Sequence, residues 1–128
     1  MGSALTVVEA VLFETLEAGI TDAPVLQDVP EDQPLPVVIV GDLLSVPFGG
    51  KDDPDRRITA TIITLCMAEE RAPLLALQEQ IETLLDEQRF ERDGWTLAMS
   101  VDSAEAVLGE DGITYVGTST FTILALRD

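Results

Sequence analysis

The chain contains no histidine and a single cysteine, Cys66. Without an imidazole, a serine or cysteine nucleophile lacks the base that most often activates it. Cys66 sits in a stretch rich in Ile and Thr, where a thiol reads as a small buried hydrophobe. Zinc would need clustered Cys and His, and neither cluster exists. Asp52, Asp53 and Asp55 offer the oxygen ligands that calcium prefers, but their spacing is not that of an EF-hand loop and Pro54 stiffens the centre. They read as a solvated loop. Gly49-Gly50-Lys51 lacks the GxxxxGK[ST] frame of a phosphate loop. Carboxylate pairs carry no signal in a chain with 24 acids, because pairs arise by chance. Glu105, flanked by Ala104, Ala106 and Val107, reads as an exposed edge residue, with a buried or interface carboxylate as the alternative. The expectation is a protein without catalytic residues, metal or cofactor.

Two groups of residues remain as candidates for contact. The first is Phe48, Lys51, Asp52, Asp53, Asp55 and Arg56, in a long connection over residues 43–56. A neighbouring protein could pack on Phe48, although a lone aromatic in a loop can also be incidental. The second is Thr114, Thr118, Thr120 and Thr122, which alternate along the last strand and share one face. That face either meets water, or stacks against another subunit or lines a channel.

The elements that carry these residues follow from periodicity. Leu5, Val8, Val11, Leu12 and Leu16 make an apolar stripe on a helix over 4–18. Ser3 can cap it, and Gly19 is expected to stop it in the left-handed conformation. Residues 25–28 read as a short edge strand, and the proline-rich stretch 30–36 as a stiff connection. Val37-Val38-Ile39-Val40, ended by Gly41, suits a strand covered on both faces. Residues 43–56 read as a loop or a protruding hairpin. The strand 57–67 puts Ile58, Ala60, Ile62, Thr64 and Cys66 on one face.

A second helix is expected over 70–88, with Pro73 in its first turn and Leu74, Leu77, Ile81, Leu84 and Leu85 buried. Trp95, Leu97, Met99 and Val101 alternate as a half-buried strand. A turn at Gly109–Gly112 leads into a strand over 113–126. The fold class is therefore α+β, in the order α-β-β-β-α-β-β, with two helices on one face of a mostly antiparallel sheet. One domain spans 1–128.

Composition narrows the function class. Seven basic against 24 acidic side chains give a net charge of −17. A chain so negative repels polyanions and has no clustered cations to grip a phosphate backbone. Sequence-specific DNA binding and docking on an anionic membrane are both excluded as expectations. At 46% hydrophobic residues the chain has ample apolar surface to fold. No run is long enough to span a bilayer, and the N-terminus lacks a signal-peptide pattern, so synthesis in the cytoplasm is expected.

The order of elements resembles the small tail terminator, or tail-completion, proteins of long-tailed phages and gene transfer agents. The residues carrying the resemblance are Asp28-Val29-Pro30, then Pro34-Leu35-Pro36-Val37-Val38-Ile39-Val40-Gly41, the acidic loop feeding Ile58–Met67, the helix to Gln88, and the closing strands from Trp95 to Leu126. The resemblance implies a virion structural protein at the head-proximal end of the tail, made in the host bacterial cytoplasm. It implies a homo-oligomeric ring, a hexamer, that caps the tail tube, ends its growth and joins it to the head connector. The implied partners are further copies of the chain, the tail-tube protein and a head connector or stopper, with no membrane. DNA would pass through unbound, and six copies would carry on the order of −100 charges to repel it. Acids would then line the channel. The alternatives are another head–tail connector or tail-assembly protein, or an acidic protein-binding module.

Overall fold

The computed structural model describes residues 3–50, 54–67 and 70–127. Helix α1 spans Ala4–Gly19, and helix α2 spans Ala72–Leu85. Among the described residues six strands follow the chain: β1 at Val25–Leu26, β2 at Val37–Pro47, β3 at Arg56–Met67, β4 at Arg89–Arg92, β5 at Trp95–Leu108 and β6 at Thr114–Arg127. They form one sheet in the order β1-β2-β3-β6-β5-β4. Among these strands β1 and β2 pair parallel, and the β2–β3, β3–β6, β6–β5 and β5–β4 pairs are antiparallel.

α1 starts where the Ser3 hydroxyl accepts the Thr6 N–H at 3.2 Å, which satisfies one free donor of the first turn. Its buried face is Ala4, Val7, Val8, Val11, Leu12 and Leu16. Leu5, expected in that stripe, stands partly in solvent, and Val7 takes its place. Gly19 also differs from expectation. It ends the helix without adopting the left-handed conformation, and the cap is Ile20 in an extended conformation. The glycine is there for packing: a Cβ on it would lie 2.6 Å from both methyl carbons of Leu84 on α2.

α2 is shorter than its apolar pattern suggests. It stops at Leu85, Glu87 takes a positive φ of 59°, and the chain returns as β4. The observed order is thus α-β-β-β-α-β-β-β, with one strand more than the sequence reading. β4 is a four-residue edge stub, Arg-Phe-Glu-Arg, whose single apolar residue gave no alternation to detect. β2 also runs past Gly41, absorbing Gly41 and Asp42 in a bulge before it continues to Pro47. A matching irregularity interrupts β5 between Val101 and Ser103.

One face of the sheet carries the core. Val38 and Val40 of β2, Ile58, Ala60 and Ile62 of β3, Phe121 and Ile123 of β6, and Leu97 and Met99 of β5 meet both helices there. Each large side chain fully buried in this way contributes roughly 1.5–3 kcal/mol relative to exposure. α1 touches β2 towards one edge and β5 towards the other, and Glu14 of α1 pairs with Arg92 of β4. Two strands lie between β2 and β5, each about 4.8 Å from its neighbour. The sheet curls around the helix that reaches both. The helices fill the concave side, and the convex side is open over β3, β6 and β5. Val37, on the convex face of β2, is fully buried, so that end of the strand is covered on both faces.

Candidate functional site

The hairpin joining β2 to β3 carries the first candidate group. Phe48 closes its base by donating its N–H to the Asp55 carbonyl at 3.0 Å, and the residue is 40% exposed. Gly49 follows with a φ of 102°, a conformation that glycine adopts without steric cost. Lys51, Asp52 and Asp53 lie outside the described residues. Asp55 is anchored rather than free: its carboxylate accepts the Arg127 backbone N–H at 2.8 Å, tying the hairpin base to the end of β6. Arg56 is partly buried and opposes Pro47 and Ala125. Of this group, then, Phe48 is displayed, while Asp55 and Arg56 hold the hairpin in place.

The threonines of β6 lie together on the convex face, as their alternation requires. Register extends them into a belt across three strands: Thr122 stands between Thr59 and Ser100, and Thr120 between Thr61 and Ser103. Thr118 lies between Ile63 and Glu105, and Thr114 opposes Met67. Thr59 and Thr61 are members that the sequence could not add, because periodicity says which face a residue is on and not which strand is its neighbour. The Thr122 hydroxyl donates to Asp102, which fixes that rotor. The belt merges at one end with an apolar row of Leu65, Val116 and Val107.

Acids are distributed unevenly. Across β3, β6 and β5 the convex face carries Asp102 and Glu105, with Arg57 as its cation. The helices carry exposed acids along their outer sides, among them Glu9, Glu14, Glu17 and Glu79. The threonine belt and the acid-rich surface are therefore different surfaces. A channel lined by the one would not be lined by the other.

Ionisable groups with perturbed protonation are structural in placement. The hydrogen bond and charge of Arg92 hold the Glu14 carboxyl below its usual value, and Glu14 raises the guanidinium in turn. Asp111 is lowered by the Thr114 hydroxyl and by the backbone N–H groups of Ile113 and Thr114, which it accepts in the β5–β6 turn. Burial pushes the Cys66 thiol up, away from reactivity. No group of three or more metal-ligating side chains occurs among the described residues. An open groove of about 410 Å³ runs between the end of α1 and α2, and of its lining residues only Glu79 is ionisable. A third feature had no sequence signal: Gln78 of α2 is buried on the sheet and donates to the Glu105 carbonyl at 2.9 Å. Beneath α2, the hydroxyls of Thr64 and Ser119 are buried without a partner.

No protein-family model matches the chain, and no curated protein matches it. Among solved structures, it is similar to a chain from the virion of a native gene transfer agent particle, with a TM-score of 0.71. The superposition covers 96% of this chain and 91% of that one, at 16% sequence identity. The two chains share a fold. At that identity the likeness speaks for backbone architecture, and it extends almost from end to end of both chains.

Proposed function

We propose that the chain is a virion structural protein and, within that class, a tail terminator: a ring component that caps the tail tube, ends its growth and meets the head connector. The observation that carries this reading is the near end-to-end match to a chain of a gene transfer agent virion. The order of elements noted from the sequence points the same way. The placement of three residues fits a structural role: Cys66 is buried, Asp55 ties a hairpin to the end of β6, and Asp111 holds a turn. In this reading the partners are further copies of the chain, the tail-tube protein and a head connector. The hairpin at Phe48 meets a neighbour or the tube, and the threonine belt faces either another subunit or the channel. DNA passes without being held, because the net charge of −17 per copy repels phosphate.

The test is deletion of the gene from a particle-producing host, followed by electron microscopy of the particles. The expected result is tails of uncontrolled length that fail to join heads, restored by the gene in trans. Tails of normal length without heads would assign the chain to another connector. Normal joined particles would remove it from the virion altogether.

A further inference from the structure

The two long outer strands leave part of their edges uncovered, and these edges fit each other. β4 pairs with β5 only over Trp95–Ala98, and β1 pairs with β2 only at Val38 and Ile39. The Gly109 N–H donates to the Thr114 carbonyl, so Gly109 faces β6. Alternation then turns Val107 and Glu105 towards β6 and leaves the N–H and C=O groups of Leu108, Ala106 and Ala104 pointing outward. On β2, the Phe48 N–H faces β3 through its bond to Asp55. Val46 and Leu44 share that direction, which leaves Leu43, Ser45 and Pro47 facing outward. A proline is tolerated there because its missing N–H would have pointed away from the sheet.

Edges of this kind invite pairing, and proteins usually blunt them with lysine, proline, a bulge or an inward-pointing charge; here Pro47 withholds one donor at the end of the β2 edge. Here the two stretches, 103–108 and 41–47, contain no basic residue and one acid each, Glu105 and Asp42. In a chain of net charge −17 they are surfaces where two copies can approach with little repulsion. They are also compatible in three further respects. β2 and β5 run in opposite directions, so the edge of one copy meets that of the next as an antiparallel pair. The outward residues of both edges carry their side chains on the core side, so joining them keeps all helices on one side of a continuous sheet. Finally, one register buries exposed apolar side chains in pairs: Val107 opposite Leu44, which are 42% and 64% exposed, and Leu108 opposite Leu43.

We infer that β5 of one copy pairs with β2 of the next, with Ala106 opposite Ser45. The contact is head-to-tail, each copy offering both halves, as a ring requires and a two-fold dimer does not. This inference rests on the ring reading above for its context, although its test does not.

The experiment uses two single-cysteine proteins, S45C and A106C, each in a C66A background. They are mixed in high salt, which screens the net charge, and treated with a short bis-maleimide. Cross-linked dimer is expected in the mixture and not in either protein alone. Adding Leu44→Asp to the S45C protein, at an exposed position, is expected to lower the yield roughly tenfold or more, by removing an apolar pair and adding a charge. Circular dichroism of each variant checks that the sheet is intact. Equal cross-linking within each protein alone would overturn the head-to-tail pairing. So would rings seen by microscopy that give no 45–106 cross-link, and that outcome would leave the ring reading standing. Gene deletion with no effect on particles would remove the ring reading and leave the cross-link result as it is.

Discussion

Gly117 offers a strict test of how α2 is seated on the sheet. It lies in β6 on the core face, with no positive φ to demand glycine. A Cβ added there would stand 2.6 Å from Gln78 Nε2, and 3.1 Å from both Gln78 Cδ and Leu74 Cδ1. Neither neighbour moves freely: Leu74 is fully buried, and Gln78 is held by its bond to the Glu105 carbonyl. Gly117→Ala gains about 0.4–1 kcal/mol by restricting the unfolded chain. Against that stand overpacking, at about 1–3 kcal/mol, and loss of the Gln78 bond, at about 1 kcal/mol. The net expectation is destabilisation by about 1–3 kcal/mol. For a chain of this length each kcal/mol moves the melting temperature by about 4 °C, so thermal unfolding should begin roughly 4–12 °C earlier. Gln78→Ala supplies the second arm. Alone it should cost about 1 kcal/mol, whereas in the Gly117→Ala background it should restore stability by making room. A Gly117→Ala protein as stable as the parent, or a Gln78→Ala effect of equal size in both backgrounds, would refute the close seating of the helix.

Other perturbations have equally definite outcomes. Thr64→Val replaces a buried, unpartnered hydroxyl by a methyl group and should raise stability by about 1 kcal/mol, read as a later thermal transition. Asp55→Ala removes the acceptor of the Arg127 N–H and should cost about 1 kcal/mol, with amide exchange at the end of β6 accelerating first. The Cys66 thiol should resist alkylation in the native protein and react at the rate of sheet opening, so that denaturant accelerates labelling. The carboxyl of Asp111 is lowered in the fold, so its stabilisation of the turn is complete above the ordinary Asp value of about 3.9. That contribution is lost as pH falls through the lower folded value. Amide signals of Ile113 and Thr114 should shift in that acid range, and Asp111→Ala should abolish the shift.

The parts of the fold legible in the sequence were those whose burial follows a period. β3 and β6 alternate over their whole lengths because one face meets helices and the other is open, and their face assignments held residue by residue. β4 escaped because a four-residue edge strand with one apolar side chain has no period, and because the α2 pattern ran smoothly towards it. Gly19 was read as a stop signal, when its real constraint is the approach of Leu84 from another helix, a contact 65 positions away in sequence. The candidate site divides along the same line. That Thr118, Thr120 and Thr122 share a face was visible; that Thr59 and Thr61 complete the belt depended on β3 lying beside β6. Asp55 looked like one member of an acidic loop, and only its distance to Arg127 shows that it is a tie.

The sheet has four long strands, β2, β3, β6 and β5, and the evenness of that number limits how the chain can change. Successive antiparallel pairs alternate in which face carries the hydrogen-bonded residues. With an even count, both outer strands turn the same class of residue outward; with an odd count they would not. A lineage could therefore insert or lose a whole hairpin and still present two edges that match. Gain or loss of one long strand would leave the edges mismatched even with the core packed. The stubs β1 and β4 escape this rule because they stop short of the uncovered stretches. Related chains that assemble in the same way should accordingly differ in stubs, loops and hairpins while keeping the number of long strands even.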